Sequence, residues 1–168
     1  KIFIDLLKKY FNVHVMDLSY KNNEKISSTN IIKLIKNGDV KKASELLNRN
    51  YEIKGKIFNG FNNGTKFGFP TINLDLEEDY VLPKNGVYEV ICYVHGLPYK
   101  GIANVGVHPS VNQLDSPIVE VYLLNFNENV YGCVCYVEFV KFIREEKKFT
   151  SIDDLISQIN KDIESISQ

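Results

Sequence analysis

Tryptophan is absent from this 168-residue sequence, and cysteine, methionine and proline are scarce, with three, one and five copies. The three cysteines are odd in number and lack CxxC spacing, and the three histidines lie in unrelated contexts. This pattern argues against a disulfide framework and against a structural zinc site. It fits a protein of the reducing cytoplasm, and we expect no zinc.

The sequence also lacks an excess of positive charge and any long apolar run. Its formal net charge is −1 at pH 7, which leaves no basic surplus to neutralise a phosphate backbone, so we expect no nucleic-acid partner. No apolar stretch approaches the roughly 18 residues of a membrane-spanning helix. No signal segment of charged, apolar and small residues is found either, so we expect no membrane anchor.

What is present is the composition of a globular protein, with 44% hydrophobic and 24% charged residues. Helical spacing of apolar residues predicts a first helix over residues 2–10, and partial alternation predicts a strand over residues 13–18. Ser28 and Asp39 are the expected caps of two further short helices, the second ending near Leu47. The first part of the chain is therefore a short α/β segment.

From Tyr51 onward, short β-branched and aromatic runs are separated by turn residues. The candidate strands are residues 51–58, 71–76, 87–94, 99–105, 118–126 and 130–142. Ser151 and Asp154 form a capping-box pattern ahead of an amphipathic terminal helix. We predict a mainly β fold, a six-stranded closed Greek-key-type β-barrel with a C-terminal α-helix, preceded by the short α/β segment.

A glycine-bearing loop, GTKFGFPTIN at residues 64–73, leads into an extended segment because Phe69 precedes Pro70. If Thr71 begins a strand, Thr71 and Asn73 point to the same side. There a hydroxyl and an amide oxygen can complete a magnesium shell that phosphate and water mostly fill. The spacing alone is more typical of a Gly-Pro turn in which both side chains bond their own backbone.

Glu120 is a lone carboxylate in the apolar run IVEVYLL of residues 118–124. A carboxylate among apolar neighbours needs a reason, and a general base that takes a proton from an alcohol is one. A solvent-facing charge outside the barrel, or an ion pair with a lysine, explains the same residue without chemistry. Two weaker segments, residues 104–110 and 142–149, are predicted to be a turn-rich loop and a charged exit from the last strand.

Several motifs follow one another in a fixed order: GTKFGFPTIN, LPKNGVY, NVGVHPS, VEVYLLNF, VYG and IREEKKF, then the amphipathic helix. Over residues 51–167 this order resembles the riboflavin kinase family. The resemblance implies a cytoplasmic enzyme that uses ATP and Mg²⁺ to phosphorylate riboflavin to FMN.

The family pattern GFPTAN matches GFPTIN here, which implies that Thr71 and Asn73 hold Mg²⁺ and ATP phosphate, while Ile72 replaces an alanine. Glu120 matches the family's strand glutamate, the implied base for the ribityl hydroxyl, and Asn125 replaces that motif's usual aspartate. The implied ATP-binding residues are Gly55, Gly60, Gly64, Lys66, Gly68, Pro70, Thr71 and Asn73. The implied flavin-binding residues are Gly86, Tyr88, Asn104, Arg144 and Phe149.

Residues 1–48 resemble the end of the FMN adenylyltransferase domain that precedes the kinase, here residues 49–168, in bacterial bifunctional FAD synthetases. ISSTNII at residues 26–32 is similar to that domain's ISSTxIR motif, with Ile32 in place of the arginine, and the HxGH-type signature is absent. We therefore expect FMN adenylyltransferase activity only in a longer protein.

Two other functions stay open. A barrel that binds flavin or nucleotide without turnover fits the same residues if Glu120 lies far from Asn73. An oligonucleotide-binding barrel is disfavoured by the balanced charge, because such proteins usually present a basic groove beside stacking aromatics.

Overall fold

The computed structural model of this chain describes residues 2–17, 19–21, 24–58, 68–108 and 116–167. In chain order the elements are α1 (Ile2–Leu7), β1 (Tyr20–Lys21), β2 (Glu24–Lys25), α2 (Ser28–Lys36), α3 (Val40–Leu47), β3 (Tyr51–Phe58), β4 (Thr71–Leu76), β5 (Gly86–Val94), β6 (Leu97–His108), β7 (Ser116–Leu123), β8 (Val134–Arg144) and α4 (Ile152–Ile166). The six predicted long strands and the terminal helix are confirmed.

Strands β3 to β8 close a barrel in the order β3-β4-β7-β6-β5-β8, with β8 pairing back to β3. All neighbouring strands are antiparallel. The β5–β6 hairpin turns at His95 and Gly96, whose φ angles of 52° and 79° are the positive values that a two-residue type I′ turn needs. The predicted closed, Greek-key-type barrel is therefore confirmed, and closure leaves none of its six strands as an open edge.

The barrel interior is filled by the alternate residues of each strand, because successive side chains of a strand point to opposite faces. Tyr88 and Phe139 are the largest fully buried side chains, and their rings meet edge to face with centroids 5.5 Å apart. Aliphatic residues of all six strands surround them. The other residues of the same strands face outward, so a binding site on the outside of the barrel must be built from them.

Helix α3 packs against the barrel through Val40, which belongs to the same buried cluster as the barrel interior, and α2 packs on α3. Gly38 joins the two helices with φ 82°, and a side chain there would approach the Tyr88 hydroxyl to 3.1 Å. The cap of α2 is Ser27, one residue before the predicted Ser28, and its Oγ accepts from the backbone N–H of Asn30. Asp39 is at the N-cap of α3 as predicted, but its carboxylate pairs with Lys42 at 3.0 Å.

Two local predictions are wrong. Residues 13–17 form no strand; the nearest strands are the short β1–β2 pair that follows them. The predicted turn-rich loop from Asn104 instead continues β6 as far as His108, because Gly106 and its neighbours pair with β7.

Among the described residues no helix is long and apolar enough to cross a membrane.

Helix α4 lies on the outer face of the barrel and begins at the predicted cap. Ser151 Oγ accepts from the Asp154 N–H at 3.1 Å and donates to its carboxylate at 2.7 Å. Near its end, Ile166 packs with Val87 and Ile102, two outward-facing residues of β5 and β6. The helix thereby leaves a covered space against the outside of the barrel.

Candidate active site

A row of polar side chains crosses the outer face of the barrel beneath α4. Asn73 on β4 pairs in register with Glu120 on β7, which pairs in turn with Asn104 on β6. Asn104 pairs with Val87 on β5, and Val87 pairs with Arg144 on β8. Residues directly opposite on antiparallel strands have Cβ atoms about 5 Å apart, so adjacent members of this row can contact one ligand together.

Two bulges in β8 set the register of Arg144 against β5. β8 holds one extra residue at Val140, which turns Phe142 inward, and another at Ile143, next to the Val87–Arg144 pair. The second bulge restores the alternation that Phe139 follows, so Arg144 lies on the outer face.

Gly86 permits the close approach of β5 and β8 at this point. Its φ is 152°, and a Cβ there would lie 2.7 Å from the Arg144 carbonyl oxygen and 2.7 Å from the Phe142 ring. Any larger residue would push the two strands apart. The structure therefore places this predicted flavin-site glycine under the backbone of Arg144.

A cavity of about 340 Å³ lies between the row and α4. Five of the predicted site residues line it: Thr71, Asn104, Glu120, Arg144 and Phe149. Asn73 is next to it, 5% exposed and directly across from Glu120. Thr71 and Asn73 face outward together, as predicted, because the alternate residues Ile72 and Leu74 fill the barrel core.

The other predicted site residues either lie away from the cavity or fall outside the described residues. Tyr88 is inside the barrel, where its hydroxyl donates to the Lys84 carbonyl and burial raises the pKa of its phenol. Gly55 packs β3 against β4, since a Cβ there would lie 2.9 Å from the Asp75 carbonyl oxygen. Gly68 and Pro70 are exposed just before β4. Gly60, Gly64 and Lys66 lie outside the described residues.

Sequence reasoning did not single out several residues of the cavity. Asp162 of α4 accepts two hydrogen bonds from Arg144 Nε and one from its Nη2. Glu146 folds its carboxylate over Gly106, where a Cβ would lie 2.7 Å from Oε1. Phe69 meets Tyr122 edge to face at 5.5 Å on the cavity wall. Asp162 carried one signal, as an acidic residue on the face of the amphipathic helix that otherwise buries isoleucines.

The cavity has two chemically different ends. The β4–β7 end holds the uncharged oxygens of Thr71 and Asn73 beside the Glu120 carboxylate. The β8 end holds the Arg144 guanidinium, 6.0 Å from the centre of the Phe149 ring, with apolar side chains of α4 nearby. No cluster of three His, Cys, Asp or Glu side chains is arranged for a metal in the part of the chain that is described.

Comparison with known proteins identifies the family of this chain. A family model described as Flavokinase, riboflavin kinase, matches residues 47–168. The bifunctional riboflavin kinase/FMN adenylyltransferase of Bacillus subtilis (strain 168) is 41% identical over 144 residues, which are 84% of this chain and 46% of that protein. The protein of the same name from Listeria monocytogenes is 37% identical over 152 residues, covering 90% of this chain and 48% of its own length.

Among solved structures, a crystal structure described as a macrolide-efflux protein from Streptococcus pneumoniae has a TM-score of 0.89 and 32% identity to this chain. The likeness covers 96% of this chain and 53% of that one. The chain thus spans about half the length of the curated relatives it matches. Because the family model covers far more than half of the 168 residues, the chain belongs to the riboflavin kinase family.

Proposed function

We propose that this chain transfers the γ-phosphate of ATP to the 5′-hydroxyl of the ribityl chain of riboflavin, giving FMN and ADP, with Mg²⁺ accompanying the nucleotide. The observation that carries the proposal is the outward-facing row formed by Asn73, Glu120, Asn104 and Arg144. With Val87 between Asn104 and Arg144 the row crosses five strands of the closed barrel, so four spacings of about 4.8 Å, roughly 19 Å measured along the curved surface, separate its ends. Such a row suits a substrate that reacts at one end and carries a planar ring at the other.

Glu120 is the proposed general base. The hydroxyl proton passes to its carboxylate as the new oxygen–phosphorus bond forms, and the bond from phosphorus to the leaving ADP oxygen breaks. Asn73 and Asn104 are the residues opposite Glu120 on the two neighbouring strands, so the base is flanked by neutral amides. Positioning of the two substrates supplies much of the remaining rate, because phosphoryl transfer needs little covalent help from the protein.

The residues at the β4 end fit a magnesium ion that arrives with ATP. Thr71 and Asn73 offer a hydroxyl and an amide oxygen, which are hard, uncharged donors of the type that Mg²⁺ accepts when phosphates bring the negative charge. Bound there, the ion would neutralise charge on the transferring phosphate. The two side chains share one face of β4, so they can reach the same ion without distorting the strand.

The β8 end is the proposed site of the flavin ring. Arg144 and Phe149 present a guanidinium and an aromatic face, both of which stack on planar rings. Leu155 and Ile159 of α4 supply an apolar wall to the same cavity. We place the reaction in the cytoplasm, where ATP is available and where the three free thiols would stay reduced.

The test is to incubate the chain with riboflavin, ATP and Mg²⁺ and to separate the products by chromatography. We expect FMN and ADP in equal amounts, and neither when Mg²⁺ is chelated. Riboflavin binding without any FMN would favour the rival function, a flavin-binding barrel without turnover. With FMN as the starting flavin we expect no FAD from this polypeptide, since Ile32 offers no charge to a phosphate.

A further inference from the structure

Two side chains of the cavity, Arg144 and Asp162, are extensively hydrogen-bonded to each other. Arg144 Nε lies 3.0 Å from both carboxylate oxygens of Asp162, and Nη2 lies 2.7 Å from one of them. The Asp162 side chain is 4% exposed and that of Arg144 is 16% exposed. A paired, forked contact of this kind sets the direction of the guanidinium plane as well as its place.

Further contacts hold both members of the pair. Gln158, one turn earlier on α4, donates from Nε2 to Asp162 Oδ1 at 2.9 Å. Arg144 Nη1 donates to the Glu145 carbonyl at 3.0 Å, and the Phe149 ring centre lies 6.0 Å from its Cζ. The guanidinium is therefore held from two sides, and it still forms part of the cavity wall.

Attachment of α4 to the barrel does not by itself explain this pair. A buried ion pair contributes little net stability, because removing both charges from water offsets their attraction. Other contacts already attach the end of the helix: Lys100 and Lys141 donate to the carbonyls of Ile166 and Ser165, and Ile166 packs on the barrel. The Arg144–Asp162 pair differs from these contacts in that both of its side chains line the cavity.

We propose that Asp162 is a positioning residue for riboflavin: it holds the Arg144 guanidinium in the orientation that receives the flavin ring. The inference rests on the proposed function, since it assumes that the β8 end of the cavity binds the flavin. Asp162 acts through Arg144, and Gln158 supports Asp162 by its hydrogen bond from the preceding turn of the helix. A guanidinium that is already fixed loses less conformational entropy when the ligand binds, and preorganisation of this kind raises affinity.

The main variant is Asp162→Asn, which keeps the shape but puts a donor group opposite the donors of Arg144. We expect the dissociation constant and KM of riboflavin to rise roughly tenfold, while the KM of ATP and kcat change less than about threefold. Riboflavin binding is measured by quenching of flavin fluorescence, and thermal melting confirms that the variant is folded at the assay temperature. Gln158→Ala leaves the charges in place and should raise the riboflavin KM in the same direction by a smaller factor.

Two comparisons separate positioning from attachment of the helix. Lys141→Gln removes a contact from β8 to α4 and the ion pair of Lys141 with Glu89, both outside the cavity, so it should leave the riboflavin KM unchanged. Adding Asp162→Asn to Arg144→Lys should change the riboflavin KM by less than about twofold, because a residue that acts through Arg144 has nothing further to lose. Full additivity of the two changes would overturn the proposal.

The remaining outcomes are also distinguishable. If the unmodified chain binds no riboflavin, the proposed function fails first. If the unmodified chain binds riboflavin and Asp162→Asn binds it equally well, only the positioning role of Asp162 is rejected. Equal losses for ATP and riboflavin, or equal effects of Asp162→Asn and Lys141→Gln, would show a purely structural pair and reject it as well.

Discussion

Glu120 has an amide side chain opposite it on each neighbouring strand, Asn73 on one side and Asn104 on the other. It lies on the outer face of β7, while Val119 and Val121 fill the barrel interior. A position outside the barrel is what the non-catalytic explanation of Glu120, a solvent-facing charge, also predicts. The position is nevertheless not open surface, because residues of α4 together with Glu146, Lys147 and Phe149 line the same cavity.

Replacement of Glu120 by Gln removes the basic group and keeps the shape. We expect kcat to fall by roughly 10² to 10⁴, the usual contribution of a positioned general base, with substrate binding changed only a few-fold. Steady-state kinetics with both substrates, together with riboflavin titration, measure this. Near-normal turnover would remove Glu120 from the mechanism.

Loss of both oxygen donors on β4 should separate the two substrates. Thr71→Ala combined with Asn73→Ala is expected to weaken magnesium-dependent ATP binding by more than tenfold, while riboflavin binding changes little, because only the phosphate end loses ligands. Calorimetric titration of each ligand tests this prediction. The matched control is Asp75→Ala, the next outward-facing residue of β4, which does not line the cavity; an equal loss of both ligands would point to a damaged barrel.

The three thiols should differ sharply in reactivity. Cys92 and Cys135 are fully buried, and the hydrogen bond to Cys135, together with burial, raises the pKa of the Cys92 thiol. Cys133 precedes β8 and is partly exposed. At pH 8 we expect Ellman's reagent to modify one thiol quickly in the native protein and three in urea; a Cys133→Ser variant should lose the fast reaction.

The same shift has a consequence for stability. Because the folded-state pKa of Cys92 is raised, the unfolded chain loses that proton first as the pH rises above about 8.5. The contribution of this thiol to the free energy of unfolding is therefore complete below that pH and declines above it.

At the scale of elements, helix α4 forms one wall of the cavity. Its first turn depends on Ser151, whose Oγ accepts from the Asp154 N–H and donates to the Asp154 carboxylate. The helix supplies Leu155, Ile159 and Asp162 to the cavity. A weakened start of the helix therefore affects the side of the cavity where the flavin ring is proposed to bind.

Ser151→Ala should lower the free energy of unfolding by about 1 kcal/mol, the typical cost of losing a cap. The matched control is Ser157→Ala in the middle of the same helix, where the side chain is exposed and alanine is the better helix former. Urea denaturation of both variants measures the difference. Equal stability of the two variants would contradict the assigned cap.

At the scale of the whole molecule, the α2–α3 segment and the barrel share one hydrophobic core. Val40 is completely buried in the cluster that contains Tyr88 and Phe139, and Gly38 brings the helix corner against the Tyr88 hydroxyl. Part of residues 1–48, the segment predicted to be the end of an adenylyltransferase domain, therefore also packs against the barrel.

Truncation of Val40 tests that connection. Val40→Ala is expected to lower the free energy of unfolding by about 2 kcal/mol, through lost burial and the cavity that remains. Ile32→Ala is the matched control, since Ile32 is 39% exposed on α2, and its cost should stay below about 1 kcal/mol. Chemical denaturation monitored by tyrosine fluorescence suits this chain, which has ten tyrosines and no tryptophan.

Local patterns in the sequence were enough to predict much of this protein. Short β-branched and aromatic runs between turn residues defined the six strands, and the period of two within a strand gives the face shared by Thr71 and Asn73. The capping pattern at Ser151 located the start of α4 to the residue. The fixed order of motifs led to the family, because each motif is a short contiguous stretch that carries its own chemistry.

The remaining features of the fold and of the cavity depend on contacts between residues far apart in the chain, so only the tertiary structure could determine them. The composition of the segment that begins at Asn104 predicted a loop. Pairing with β7 instead holds Asn104–His108 in a strand. Alternation alone would turn Phe142 out of the barrel, and only the bulge at Val140 turns it inward against Tyr88. The sequence marks Asp162 only as an acidic residue on the buried face of α4, and its partner is revealed when the fold brings α4 over Arg144. Periodicity could therefore establish which side chains share a strand face, whereas strand register and helix packing determine which of them meet in the cavity.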